Sequence, residues 1–394
     1  DPAPPQTYTE AYSSAASDVY KRQVLNRSVS HDELPAGVRR TLEDAGGIFV
    51  KLGQVASTRS DVLPASWCAE LALLRSSAEP QPEDVIRPHL TDQLGAPPEQ
   101  VFSSFDWTPL ASASIAQIYR ATLRTGEDVV VKVQRTGLDD MIATDRAAIM
   151  QLANLIQRRT PLGLSVQPAD LAAEFIESVA EELDFDIEAG NALELGVGLA
   201  DVDGIRIPTV HRELSTKKVL IEEFVAAPSI GDPATLDALG ERRVEVADRL
   251  IEAFLRQIFD VGVFHADPHP GNVFYLPGNR LVFIDFGMVG QLSRQRRDQM
   301  VDLLYGMVER RSDKVTEILL TWADADERQN LALEGRIDAF IDRVHGVALD
   351  RLDIASLTRD LFAAMRDHNL ALPSDLTLMA KAFASLDGMG RQLD

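Results

Sequence analysis

The sequence predicts an α+β protein of two lobes, a small β-containing one and a larger helical one, preceded by a helical extension. Three observations carry this. Residues 117–123 and 128–134 form a strand pair joined by Arg124-Thr125-Gly126-Glu127, a hairpin signal. Helical periodicity dominates on both sides of that pair. From Thr235 the chain reads as helix to its end, interrupted once at residues 264–290. There the apolar runs NVFYL and RLVFID flank Pro277, Gly278 and Asn279.

Taken in order, residues 1–23 are rich in Pro, Ser and Ala without apolar periodicity, and read as a disordered leader or an artefact. Residues 24–100 form the extension. It is helical from 34 to about 64, with Leu42, Phe49, Leu52, Val55 and Ala56 at helical spacing and a break at Gly46-Gly47. Helix continues over residues 65–74, the Pro-containing EPQPED segment at 79–84 punctuates the chain, and a short helix covers residues 85–94. Residues 101–225 make the small lobe: the hairpin, long helices at 145–159 and from 169 to about 199, and a buried strand at 217–225 (KKVLIEEFV). Residues 226–394 make the helical lobe. No repeat with a period of 20 to 50 residues is present.

At 394 residues the chain is long enough for a full core. Its formal net charge of −22 sets up a field that repels nucleic-acid backbones and anionic lipid, so no nucleic-acid partner is expected, and contact with a membrane needs a local patch. The single cysteine, Cys68, forms no internal disulfide, which fits a reducing compartment. No apolar run of 18 residues and no secretory signal are found. The expected location is cytoplasmic, with any membrane contact peripheral and at the inner face.

The strongest local signal is His265-Ala266-Asp267-Pro268-His269-Pro270-Gly271-Asn272, followed after a strand pair by Ile284-Asp285-Phe286-Gly287. Phosphoryl transfer needs metal ions held against phosphate oxygens by hard oxygen ligands, and a carboxylate near the nucleophile. Asn272 and Asp285 suit the first job and Asp267 the second. The five-residue step from Asp267 to Asn272 reproduces the spacing of the protein-kinase loop H-R-D-x-x-x-x-N, and the D-F-G triplet is intact. Pro268 and Pro270 break any helix there, so His265 and His269 belong to this loop rather than to a metal pair.

Upstream, Lys132 stands in the apolar strand Val129-Val130-Val131-Lys132-Val133, where a kinase carries its phosphate-neutralising lysine. By itself that residue reads first as a strand lysine facing solvent, the usual fate of lysine, and only the downstream motifs overturn that reading. Before the hairpin the chain has Ala111-Ser112-Ala113-Ser114 in place of a G-x-G-x-x-G loop, small residues that keep a Cβ and stiffen the loop. A protein-kinase-like bilobal fold follows, but not an ordinary protein kinase. No A-P-E follows Gly287, and Met288-Val289-Gly290 leads straight toward helices. Glu222, Glu223 and Val225 read either as a hinge offering backbone groups to a base or as a buried strand ending in a polar turn.

Four separated motifs together resemble the UbiB/AarF family of atypical kinases, which is linked to isoprenoid-quinone biosynthesis. They are Lys51-Leu52-Gly53-Gln54 (K-x-G-Q), the alanine-rich loop, Glu182-Leu183-Asp184 (E-x-D) and the loop from His265 to Asn272, and the resemblance covers residues 34–394. It implies that ATP or ADP and Mg²⁺ are the ligands, with Ala111, Ser112, Ala113 and Ser114 near the nucleotide and Glu222 and Val225 at the hinge. It further implies Lys132 as nucleotide lysine, Asp267 as catalytic-loop aspartate, and Asn272 and Asp285 as metal ligands. Residues 181–188 alone read as an acidic solvated helix surface, and Lys51 and Gln54 as solvent-facing. The resemblance instead pairs Glu188 with Lys132 and Glu182 with Lys51. Six residues apart on one helix, the two glutamates would point some 120° from each other and serve different partners. The K-x-G-Q segment then folds over the active site, against protein substrates. The expected activity is a Mg²⁺-dependent ATPase, or a kinase for a small molecule or lipid, working with lipid or quinone-pathway proteins. A nucleotide-switched scaffold with little turnover is the competing expectation.

Overall fold

The computed structural model describes residues 34–58, 63–74, 79–159, 168–323, 325, 330–345, 360–361, 364–365, 368, 370 and 373–393. The expectation for residues 1–23 lies outside them. Helices α1 (Leu34–Ala45), α2 (Gly47–Thr58) and α3 (Ala65–Leu71) open the described chain, and Gly46 at φ +69° makes the break between the first two. Helix α4 (Glu83–Leu94) starts on Glu83 and Asp84 and stops at Gly95, left-handed at φ +67°. The short α5 (Pro98–Val101) leads into β1 (Phe102–Phe105), β2 (Ala111–Ser112), β3 (Ala116–Leu123) and β4 (Asp128–Gln134).

Helix α6 (Leu138–Arg159) begins seven residues before the expected start, because Gly137 at φ +82° and not an apolar residue sets its first turn. The single long helix expected over residues 169–199 is two: α7 (Pro168–Glu182) and α8 (Phe185–Gly198). Asp184 ends the first and caps the second, accepting from the Asp186 amide at 3.1 Å. An aspartate inside a continuous apolar pattern is a cap signal that periodicity alone passes over. Strands β5 (Ile205–Arg206) and β6 (Val219–Glu223) follow.

The first sheet runs β1-β3-β4-β6 with β2 on the flank of β3, every pairing antiparallel. The β3–β4 turn closes as expected, with Gly126 at φ +97° and Leu123 N–H donating to Glu127 O at 2.8 Å. Alternation across β4 and β6 decides what each face does. Val129, Val131 and Val133, with Val219 and Ile221 beside them, are buried against α4, Phe102 and Tyr119. Val130, Lys132, Leu220 and Glu222, in register with one another, face the other way, onto the cleft side.

The larger lobe contains α9 (Pro233–Leu239), capped by Asp232, and α10 (Arg243–Arg256), which runs into a π-helical turn at Gln257–Val261. Next come β7 (Val263–His265), β8 (Val273–Leu276), β9 (Arg280–Phe283) and β10 (Val289–Gln291). The hairpin of β8 and β9 matches the sequence expectation, and β5 joins β9 in parallel. Residues 288–290 do not lead straight to helix: β10 pairs β7, with Val289 opposite His265. Helices α11 (Arg294–Val308), α12 (Ser312–Trp322), α13 (Asn330–Val344) and α14 (Ser374–Leu393) complete the lobe. Among the described residues four apolar clusters hold these parts: one behind the sheet, one under the cleft, one within the helical lobe, and one where Ile48, Phe49, Leu52 and Val55 of α2 meet α6 and α7.

Gly290 shows how tightly β10 is fitted. A Cβ there would sit 2.0 Å from Cζ of Phe264, a fully buried ring. Gly290→Ala is therefore expected to destabilise the fold by about 1–3 kcal/mol. Chemical denaturation checks it, and an unchanged midpoint would mean the ring has room to move.

Candidate functional site

A cleft of about 970 Å³ opens between the sheet and the larger lobe. Lys51, Gln54, Ala111, Ala113, Ser114, Lys132, Glu182, Glu188, Glu222, Val225, Asp267, Asn272 and Asp285 all line it. Ser112 does not. Period-two alternation turns it to the other face of β2, where its hydroxyl accepts from Arg135 at 3.2 Å, so a nucleotide contact through the Ser112 side chain is not what this loop offers. Its neighbours close a tight turn, with Ala113 N–H donating to Ala116 O at 2.9 Å.

Lys132 donates to both carboxylate oxygens of Glu188 at 2.8 Å and reaches Asp285 Oδ1 at 3.4 Å. Burial alone would lower its pKa, but the Glu188 and Asp285 charges outweigh burial and hold the ammonium above its ordinary value. The reading of Lys132 as solvent-facing is excluded: its side chain is 16% exposed. Asp285 is held down to about 2, chiefly by the Lys132 charge against the opposing effect of burial, so it is an anion at neutral pH. Its backbone is left-handed at φ +63°, uncommon for a residue other than glycine and a mark of a position fixed by its surroundings.

The loop geometry is set by buried hydrogen bonds. Gln257 Oε1 accepts from His265 N–H at 2.8 Å. His265 Nδ1 accepts from Asp267 N–H at 3.2 Å, which leaves Nε2–H to donate to Ile284 O at 3.1 Å. Burial lowers the His265 pKa, which keeps the neutral ring this pairing requires. Asn272 N–H donates to His269 O at 2.9 Å, and Ile284 N–H to Asn272 O at 3.0 Å, so the Asn272 and Asp285 backbones are stitched side by side. Asn191, on α8 beyond Glu188, donates to Phe286 O at 3.0 Å and anchors the Asp-Phe-Gly segment. Asn272 and Asp285 present an amide oxygen and an ionised carboxylate to one cleft, a donor set that fits Mg²⁺.

Glu182 and Glu188 serve different partners, but not because one helix separates them; they lie on α7 and α8, on either side of the Asp184 cap. Lys51 Nζ meets Glu182 Oε1 at 2.5 Å, and Gln54, one turn along α2, donates to Leu74 O at 3.1 Å. The solvated-face readings of these residues fall with that pair. Gly53 between them has no room for a Cβ, which would lie 2.1 Å from Leu74 Cδ1. Sequence reasoning did not reach Asp375, Leu378 and Lys381 of α14, which also line the cleft; their spacing of three residues on an amphipathic helix was the available signal.

Glu222 faces the cleft from β6 and, among the described residues, has no hydrogen-bond partner for its carboxyl group. Burial, with the Glu188 and Asp285 charges added and Lys132 opposing, pushes it up to about 8 from its ordinary 4.5. A carboxyl raised in the fold stabilises fully below its unfolded value, and that contribution is lost as pH rises through about 8. Glu222→Gln is expected to raise Tm by roughly 2–4 °C at pH 9 and to leave it unchanged at pH 4. Equal shifts at the two pH values would show that Glu222 does not titrate in this range.

Family comparison adds an independent line. The ABC1 atypical kinase-like domain matches residues 73–319, and the UbiB helical domain matches residues 337–394. The Arabidopsis thaliana chloroplast protein "ACTIVITY OF BC1 COMPLEX KINASE 7" is 32% identical over 92% of this chain and 52% of its own length. The "Probable protein kinase UbiB" of Pseudomonas putida is 33% identical over 91% of this chain and 67% of its own. The chain thus spans about half the length of the first relative and two thirds of the second. Among solved structures, the Mycobacterium tuberculosis protein Rv3197, in complex with erythromycin, shares the fold, with a TM-score of 0.55 at 20% identity over 98% of this chain and 95% of that one. No helix among the described residues is long and apolar enough to cross a membrane. With a kinase-type cleft on its own residues and these matches beside it, the chain belongs to the ABC1 atypical kinase-like family, which includes the proteins named UbiB.

Proposed function

We propose that this chain binds ATP with Mg²⁺ in the cleft and transfers the terminal phosphoryl group to water or to a small-molecule or lipid hydroxyl, in support of isoprenoid-quinone biosynthesis. The observation that carries it is the Lys132–Glu188 pair at 2.8 Å with Asp285 at 3.4 Å, in one cleft with Asp267 and Asn272. Lys132 neutralises phosphate charge, and Asp267 stands ready to orient the attacking hydroxyl and take its proton. Asn272 and Asp285 would hold Mg²⁺, which supplies charge stabilisation at the phosphate oxygens. Carboxylates outnumber lysines in the lining, so an anionic nucleotide enters favourably only with its cation.

Two features favour a small acceptor over a protein. The Lys51–Glu182 pair fixes α2, whose Lys51, Gln54 and Val55 line the cleft, and the chain passes from Gly287 into β10 within two residues, which leaves little room there for a peptide-docking loop. The quinone assignment rests on the relatives named UbiB, and work at the inner face of a membrane, with lipid or quinone-pathway proteins as partners, goes with it. A nucleotide-switched scaffold is favoured by one observation: the loop that stands in place of a glycine-rich one is a tight alanine–serine turn, closed by Ala113 N–H donating to Ala116 O at 2.9 Å.

The test is phosphate release from ATP by the purified chain, with Mg²⁺, with chelator, and with anionic-lipid vesicles present or absent. Release that chelation abolishes and Mg²⁺ restores is the expected result. Nucleotide binding without release, on a folded chain, would establish the scaffold instead.

A further inference from the structure

The lysine on Asp267 comes from an unexpected place. Lys381 lies on α14, more than a hundred residues beyond the catalytic loop, and its Nζ stands 3.3 Å from Asp267 Oδ1. Asp375, Leu378 and Lys381 follow at three-residue intervals and line the cleft. The position is held from behind: Phe383 packs edge-on against Phe254 at 5.1 Å, and Phe254 edge-on against Phe264 at 6.1 Å, on the strand that delivers Asp267. Arg296 fixes the start of the helix through Asp375 at 3.2 Å. Lys381 is thus placed by the core, not swung in from a loose surface helix.

Phosphoryl transfer spreads negative charge over the oxygens of the moving group, and a cation beside the attacking nucleophile stabilises it. The loop from Asp267 to Asn272 contains no lysine or arginine. Lys132 stands with Glu188 and Asp285, and Lys51 with Glu182; among the described residues Lys381 is the lysine within ion-pair distance of Asp267. We propose that Lys381 supplies this cation: helix α14 completes the active site by facing the terminal phosphate beside Asp267. The assignment rests on the ATP reading above. In the step it serves, a hydroxyl oxygen forms a bond to the terminal phosphorus, the bond to the β,γ-bridging oxygen breaks, and its electron pair leaves with ADP. The hydroxyl proton passes to Asp267.

The experiment compares wild type with Lys381→Gln and Lys381→Arg, measuring turnover and, separately, ATP and ADP affinity in Mg²⁺. Lys381→Gln should lose about 100-fold in turnover and its preference for ATP over ADP while binding ADP as wild type does, with Lys381→Arg restoring most of both. Turnover of Lys381→Gln within about threefold of wild type, or equal weakening of ATP and ADP, would reduce the pair to a strut between helix and loop. If the glutamine variant does not fold, the arginine variant decides: wild-type preference for ATP supports the assignment and loss of it overturns it. A wild type that binds nucleotide without releasing phosphate sinks the turnover reading alone, and Lys381 then stands or falls on the ATP-over-ADP preference.

Discussion

Asp285→Asn is expected to lower Mg²⁺-dependent turnover on the order of 10³-fold while leaving the fold intact. The carboxylate is ionised at neutral pH, held down to about 2 by Lys132, so the substitution removes a full charge from the proposed cation site. Asparagine is the informative replacement because the backbone there is left-handed at φ +63°, a conformation asparagine adopts about as readily as aspartate. Alanine would add backbone strain to the loss of charge and blur the two. Losing the carboxylate also relieves its repulsion with Glu188, which offsets part of the lost attraction to Lys132. Turnover, magnesium titration and thermal melts on the same samples check this. Activity within tenfold of wild type, with an unchanged magnesium requirement, would remove Asp285 from the metal site.

Much of this site was legible because its residues sit in short motifs whose spacing the chemistry dictates. Asp267, Asn272 and Asp285 fall on one loop and one hairpin, so sequence distance and spatial distance agree. Lys132 was readable only with the downstream motifs: alternation puts it on the face opposite Val131 and Val133, and that face is open to solvent or cleft until the Asp267–Asn272 loop and Asp285 are placed across from it. What escaped was set by contacts distant in sequence or by single polar residues. The Asp184 cap divides a helix whose apolar period runs on without interruption, and β7 and β10 are three-residue strands that exist only as a pair. Lys381 carries no motif at all; its place depends on Phe383, Phe254 and Phe264 packing in a core that no local pattern reveals.

Charge gives the cleft its logic. Glu188 and Asp285 converge on Lys132, and Asp267 on Lys381, so each cation is outnumbered or matched before any ligand arrives. Phosphate oxygens would not enter such a site by electrostatics alone, and under the proposed function the arrangement would select a nucleotide that brings positive charge with it. The same balance makes stability depend on each lysine in a way that exposed ion pairs do not.

Lys132→Met puts that dependence to the test, with an expected loss of about 3–5 kcal/mol in stability together with loss of nucleotide binding. Methionine keeps the unbranched stem and most of the length of the side chain, so the effect is mainly that of the charge. Glu188, 6% exposed, would be left without its cation and beside two further carboxylates. It would take up a proton to escape, which makes the loss smaller at pH 5 than at pH 8. Glu188→Gln in the Lys132→Met background removes the stranded charge and should recover most of the stability without restoring nucleotide binding, a strongly non-additive pair. Denaturant midpoints for the two single variants and the double variant measure this coupling. Additive losses would show that Lys132 and Glu188 each act on separate partners, and that the 2.8 Å pair is not what holds α8 to the sheet.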